Sequence, residues 1–315
     1  MQARSRPARR SDGLPPRPGL PRRFPALSFR PSHVVGRTHL YRLVVALIAL
    51  GLCATAHAEP AISAAKISAA KRADNGFVVY DVQSEFQAGT TQIFVRAPAK
   101  IMGGPLLTLY VLPVEAHDEK RWGDARGEIA KLDLANRHGV VVVFPTFSHL
   151  PWFADHPSDP HIRQEAYFLK VVLPFVERMY PVGSDRHARA LLGFSKSGWG
   201  AWTLLLRHPD VFGRAAAWDA PMTMEAPRYG MAPIAGTQEN FEHYRVTTLL
   251  RERGALLGSE PRLMLTGWDF YRDQTVGARR LLQQLKIPHV YRDGPQRRHH
   301  WNSGWMDELA RWSAR

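Results

Sequence analysis

The chain has 315 residues, with 42 Lys and Arg against 28 Asp and Glu, a formal net charge of +14 and a single cysteine. That length holds one large α/β domain or two small ones, and a lone thiol forms no internal disulfide. The charge does not describe a nucleic-acid-binding domain. Residues 1–58 carry ten arginines, no lysine and one acid, Asp12, which leaves only +5 over residues 59–315.

In chain order, residues 1–36 are an Arg- and Pro-rich leader without apolar periodicity, or sequence upstream of the true start. Arg37 and Arg42 then precede a twelve-residue apolar core, 43–54, and Ala56-His57-Ala58 follows as an A-x-A cleavage site. This is the layout of a secretory signal peptide. Twelve residues fall short of the about 18–20 that span a bilayer, so no stable membrane anchor is expected. The expected mature chain starts at Glu59, is periplasmic or extracellular, and lacks cysteine, because Cys53 falls inside the signal. Residues 59–74 read as a polar, Ala-rich linker, and 75–315 as one globular domain.

Residues 77–82 and 92–95 have strand patterning and form an antiparallel entry. The nearly continuous apolar runs 106–112 and 140–144 are strands buried on both faces. Helical spacing covers 127–137 and 161–179, the latter interrupted by Pro174. Strands follow at 188–192, 214–218, 262–265 and 288–292. Helices are expected from Gly198 to Arg207 and over 240–253, 276–285 and 301–312. Buried strands alternating with helices specify a mostly parallel central sheet flanked by helices. The irregular stretch 220–238 is expected to rim a site.

The most informative segment is Leu191-Leu-Gly-Phe-Ser-Lys-Ser-Gly-Trp-Gly200. A serine held on a strand-to-helix turn is a nucleophile elbow, and the turn needs small residues two positions to either side. Gly193 and Ser197 stand there, so the chain has G-x-S-x-S where the pattern expects G-x-S-x-G. The same serine would also suit an ordinary helix N-cap. At the helix N-terminus the backbone N–H of Lys196 faces the place where an oxyanion would form. The Lys196 side chain is expected to face pocket or solvent. A nucleophilic serine needs a base and a group that orients the base. An acid, Asp269, follows the strand ending near Gly267, and His299 and His300 follow the last strand. The order Ser, Asp, His is that of one serine hydrolase fold and not of the others. Asp219 and Asp273 are alternative acids.

These segments resemble the α/β-hydrolases, and within them the esterase D-like family. The resemblance covers most of 75–315. It rests on Gly193-Phe-Ser-Lys-Ser-Gly-Trp-Gly-Ala201, Leu206-Arg-His-Pro-Asp-Val-Phe212, Gly267-x-Asp269 and His299-x-Trp301. It implies the α/β-hydrolase fold, with Ser195 as nucleophile, Asp269 as acid and His299, two residues before a tryptophan, as base. His300 remains the alternative base. The second oxyanion donor falls in Leu112-Pro-Val-Glu-Ala-His-Asp118, which lacks the glycine pair of lipase-like members. Pro113 has no N–H, which leaves Val114.

The expected activity is ester hydrolysis through an acyl-enzyme on a small-molecule or carbohydrate ester, with no cofactor. The polar clusters His117-Asp118 and His156, Asp159, His161 lack the helix-face spacing of a metal site. A cell-envelope acyltransferase with the same triad and a non-catalytic binding protein of the same fold are the alternatives. Trp152, Phe153, Trp199, Trp218, Tyr229, Trp268 and Trp301 fall near strand ends, where several together could line a cleft.

Overall fold

The computed structural model of the chain describes residues 65–101 and 103–315, all within the compact unit Pro60–Arg315. The leader and signal read over 1–58 lie outside the described residues. Among the described residues ten strands form one sheet. They are β1 (Lys66–Ile67), β2 (Lys71–Arg72), β3 (Val78–Gln83), β4 (Thr90–Arg96), β5 (Thr108–Val111), β6 (Val141–Pro145), β7 (Arg189–Phe194), β8 (Arg214–Trp218), β9 (Leu263–Trp268) and β10 (His289–Gln296). Their spatial order is β1-β3-β4-β6-β5-β7-β8-β9-β10, with β2 also pairing with β3. The pairs from β1 to β6 are antiparallel. From β6 across to β10 every neighbouring pair is parallel.

Part of the expected 59–74 linker is therefore sheet. Lys66–Ile67 and Lys71–Arg72 are too short and too basic to show a strand period, and only the exposed edge of β3 makes strands of them.

The parallel strands are apolar because helices cover both faces. In β6, Val141 and Val143 pack to one side while Val142 and Phe144 pack to the other. Each fully buried valine contributes about 1.5–3 kcal/mol relative to its exposed state. On the first side lie α3 (Gln164–Tyr167 continuing to Leu173–Met179), α4 (Ser195–Arg207), α5 (Gln238–Tyr244), α6 (Val246–Arg253) and α7 (Arg272–Gln284). On the second lie α1 (Ala125–Lys131), α2 (Leu134–His138) and α8 (Met306–Ser313). Helix α3 runs from Gln164–Tyr167 through a π-type turn, Phe168–Val172, into Leu173–Met179. Pro174 cannot donate to the preceding turn, and the wider turn accommodates it without ending the helix.

Three helices expected to be continuous are broken. The 127–137 segment splits at Asp133, which adopts the left-handed region at φ 48°, and Asp124 caps α1 by accepting from Gly127 N at 2.9 Å. The 240–253 segment splits at Arg245, whose ψ of 122° is extended. The 301–312 segment is a 3-10 turn, Trp301–Ser303, followed by α8.

Beyond β3, chain order and spatial order disagree at one place. From β5 the chain goes to β6 on one side, and then to β7 on the other side of β5. Where strand order reverses in this way, a crevice opens beyond the carboxyl ends of the two strands. Leu112 N still donates to Leu192 O at 2.8 Å, and beyond that bond the chains part. The loop after β5 and the turn after β7 form the two walls.

Candidate active site

The turn after β7 is one residue long. Phe194 is extended, and Ser195 has φ 52°, the left-handed region. The next residues are helical, so α4 begins at the serine itself rather than at Gly198. A non-glycine residue in that region costs on the order of 1–3 kcal/mol and persists only where its surroundings hold it. Two neighbours hold it. A Cβ added to Gly193 would lie 2.2 Å from the carbonyl oxygen of Ser197, so no side chain fits there. Ser197, where the pattern expects glycine, is wholly buried. Its Oγ accepts from Phe194 N at 3.0 Å and donates to Phe194 O at 2.9 Å. The departure from the motif thus closes the elbow with two hydrogen bonds that glycine could not make.

His299 reaches the serine. Its Nε2 is 3.0 Å from Ser195 Oγ and its Nδ1 is 2.6 Å from Asp219 Oδ2. All three are buried: Ser195 is 4% exposed, His299 5% and Asp219 1%. Asp219 stands immediately after β8, the strand next to β7. Its carboxylate also accepts from the backbone N–H groups of Tyr271, at 2.9 Å, and Phe270, at 3.3 Å.

Asp269, the acid expected from the sequence, does not meet the imidazole. Its Oδ2 accepts from the backbone N–H of His299 at 3.0 Å and its Oδ1 from Gln296 Nε2 at 3.0 Å. It holds the histidine loop in place, while Asp219 faces the ring. The cue for Asp219 was in the sequence: it is an acid directly following a buried strand, the same criterion that selected Asp269. His300 is turned away from the serine. Its ring packs over Gly123, where an added Cβ would meet it at 2.1 Å, and its Nδ1 accepts from Asn302 N at 3.4 Å.

Aromatic rings enclose His299. Phe270 stacks on it at 4.8 Å and 27°, and Trp122 meets it edge-on at 4.8 Å. Phe194 lies at 4.7 Å and Tyr271 at 5.7 Å. Tyr229 of the 220–238 stretch touches Tyr271 at 5.6 Å and so reaches the rim, whereas Ala220, Met222, Met224 and Met231 of that stretch are core. Burial raises the Tyr271 phenol above its ordinary value, so this hydroxyl stays neutral. Of the aromatic residues expected to line a cleft, Trp152, Phe153, Trp199, Trp218 and Trp301 are buried core.

Val114 is buried in the loop after β5, next to Glu115. The Lys196 side chain does not face solvent. It is buried, and its Nζ lies 3.1 Å from Glu115 Oε1. Burial holds the ammonium below the usual lysine range, and the Glu115 carboxylate offsets only part of that lowering. Among the described residues no group of three or more His, Cys, Asp or Glu could hold a metal ion, and no helix is long and apolar enough to cross a membrane.

A family model described as "Putative esterase" matches residues 148–253, a segment that holds Ser195, Lys196 and Asp219 but neither Asp269 nor His299. No curated protein matches the chain in sequence. Among solved structures, an S-formylglutathione hydrolase from Agrobacterium tumefaciens is similar, at 18% identity and TM-score 0.59, over 79% of this chain and 98% of that one. FphF, a fluorophosphonate-binding serine hydrolase of Staphylococcus aureus, is 18% identical at TM-score 0.60, over 76% of this chain and 98% of its own. A ferulic acid esterase is 21% identical at TM-score 0.58, over 79% and 98%. At such identities the likeness establishes the fold.

Proposed function

We propose that this chain, an α/β-hydrolase with an esterase-family segment around its elbow, hydrolyses carboxylic esters through Ser195, His299 and Asp219. The observation that carries the reading is one imidazole bonded at Nε2 to the serine hydroxyl and at Nδ1 to a buried carboxylate. In this arrangement Nε2 takes the hydroxyl proton as Oγ attacks the ester carbonyl carbon, and the carbonyl electron pair moves to oxygen. The N–H groups of Lys196 and Val114 receive that oxyanion. Asp219 keeps the proton on Nδ1 and stabilises the imidazolium, aided by the stacked face of Phe270. The tetrahedral intermediate collapses, and Nε2–H protonates the departing alkoxide. Water then gives its proton to Nε2 and attacks the acyl-serine, which releases the carboxylic acid and restores the hydroxyl.

The residues of the oxyanion wall favour small acyl groups. With proline and valine where lipase-like members have glycines, the loop approaches the reacting carbon less closely, and bulky tertiary acyl groups are disfavoured. The short apolar segment 43–54 and the Ala56-His57-Ala58 site support action outside the cytoplasm, on small-molecule or carbohydrate esters.

The test is covalent labelling by a fluorophosphonate probe. Folded wild type labels and Ser195→Ala does not. A folded wild type that stays unlabelled is a binding protein, and labelling that survives Ser195→Ala names the wrong serine. A panel of p-nitrophenyl esters of increasing chain length, with acetylated and feruloylated sugars, then ranks substrates. Faster acyl transfer to a sugar than to water would make the protein an acyltransferase.

A further inference from the structure

We propose that the buried ion pair between Lys196 and Glu115 is a strut that sets the distance between the two N–H donors of the oxyanion hole. This rests on the esterase reading above. The partners stand on opposite walls of the crevice. Lys196 follows Ser195 at the start of α4, and its own N–H is one donor. Glu115 follows Val114, whose N–H is the other. Lys196 Nζ lies 3.1 Å from Glu115 Oε1, and both residues are over nine-tenths buried. A single bond between side chains therefore ties the elbow to the loop, from the residue that carries one donor to the residue beside the other.

The loop needs such a tie. Pro113-Val114-Glu115-Ala116 has no glycine to shape it against the substrate. Its other anchors lie further along the chain or on other elements. His117, at φ 53°, donates its N–H to Phe147 O at 2.7 Å. Asp118 pairs with Arg126, and Trp122 O accepts from Trp301 N at 2.9 Å. These fix the far part of the loop against β6 and the histidine loop. Only the Lys196 ammonium, among these bonds, crosses from the loop to the elbow.

Stability alone does not account for the pair. Removing two charges from water costs several kcal/mol each, and an apolar pair of similar volume in the same place is often neutral or stabilising. An ion pair with fixed geometry gives directional control that two methyl-tipped chains do not. It also settles a charge problem, because an unpaired Glu115 carboxylate beside Val114 would repel the oxyanion. Lys196 and Glu115 are thus positioning residues, acting through backbone donors that their substitution leaves in place.

The experiment compares wild type, Lys196→Met, Glu115→Met and the double variant in steady-state hydrolysis of p-nitrophenyl acetate, in fluorophosphonate labelling rate and in thermal melting. The double variant carries most of the weight, since its two apolar side chains fill the same space without stranding a charge. It is expected to melt within a few degrees of wild type or above it. Its kcat should fall by about 10- to 100-fold, short of the about 100- to 1,000-fold that follows outright loss of a donor. KM should stay within about threefold, and the double variant should be no slower than the slower single one, because both break the same strut. A merely structural pair gives the opposite result, with kcat recovering in the double variant. Recovery to within about twofold of wild type, a loss carried wholly by KM, or single losses that multiply in the double variant would each overturn the strut. An inactive, unlabelled wild type overturns the esterase reading and this inference with it. Should a single variant fail to fold, the double variant still reads kcat and KM against wild type, and should the double Met variant fail, Lys196→Gln with Glu115→Gln, equally uncharged, takes its place.

Discussion

Asp219 holds His299 through the ring, with its Oδ2 2.6 Å from Nδ1, whereas Asp269 holds the same histidine only through its backbone N–H, at 3.0 Å. The two acids therefore have separable effects. Asp219→Asn keeps the shape but offers an amide that favours the wrong imidazole tautomer, and kcat is expected to fall by about 10⁴-fold. Asp269→Ala removes hydrogen bonds from the loop and leaves the ring's partners in place, so kcat/KM should fall by no more than about tenfold, the scale of one or two ordinary hydrogen bonds. Steady-state kinetics on a short p-nitrophenyl ester rank the two. The reverse ranking would transfer the orienting role to Asp269.

Restoring the motif at Ser197 should weaken the protein. Its hydroxyl both donates to and accepts from Phe194 inside the core. Ser197→Ala strands those backbone groups at a cost of about 1–3 kcal/mol. Ser197→Gly loses the same bonds and adds about 1 kcal/mol for glycine in a helix. Denaturant midpoints should run wild type, then alanine, then glycine. A glycine variant as stable as wild type would mean that the two bonds contribute nothing net.

Gly193 is a position where no side chain fits. The nearest atom to an added Cβ is backbone, the Ser197 carbonyl oxygen at 2.2 Å, so the turn itself would have to move. Gly193→Ala is expected to abolish labelling of Ser195, either by opening the elbow or by preventing folding. Labelling of a folded Gly193→Ala protein at the wild-type rate would contradict the close approach.

The elbow was legible because its determinants are local: a buried strand, a glycine two residues before the serine, and a helix after it. The strand Arg214–Trp218 was read with its observed bounds for a similar reason, since an apolar run ends there at an acid. The identity of the orienting acid was not legible. Asp219 and Asp269 both follow buried strands, and only the packing of the His299 loop over β8 and β9 decides which one meets the ring. The breaks at Asp133 and Arg245 depend on single backbone angles in otherwise helical patterns. Lys196 and Glu115, 81 residues apart in sequence, are joined only because strand order reverses between β5 and β7. A lysine directly after a nucleophile reads as facing pocket or solvent until its partner on the loop is known.

A second buried charge cluster lies at the other end of α4 and predicts a pH dependence of stability rather than of activity. Glu165 in α3 accepts from Arg207 at 2.7 and 2.9 Å, from His208 at 2.6 Å and from Tyr244 at 2.9 Å. Burial alone would raise its pKa, but the hydrogen bonds and charges of His208 and Arg207 outweigh it and hold the carboxyl at about 2, against an ordinary 4.5. A carboxyl depressed in the folded state binds its proton more readily in the unfolded chain. Its stabilisation is therefore complete above pH 4.5 and is lost as pH falls from there to about 2. At about 1.4 kcal/mol for each pKa unit, the group contributes on the order of 3 kcal/mol across that window. Glu165→Gln should remove this contribution. Its stability would be lower than wild type at neutral pH, and the gap would close towards pH 2. Thirteen helical residues, about 20 Å, separate this end of α4 from Ser195, so kcat at neutral pH should change little. Denaturant unfolding of both proteins between pH 2 and 7 measures the difference. A gap of constant size over that range would show that Glu165 is not the group whose protonation loosens α3 from α4.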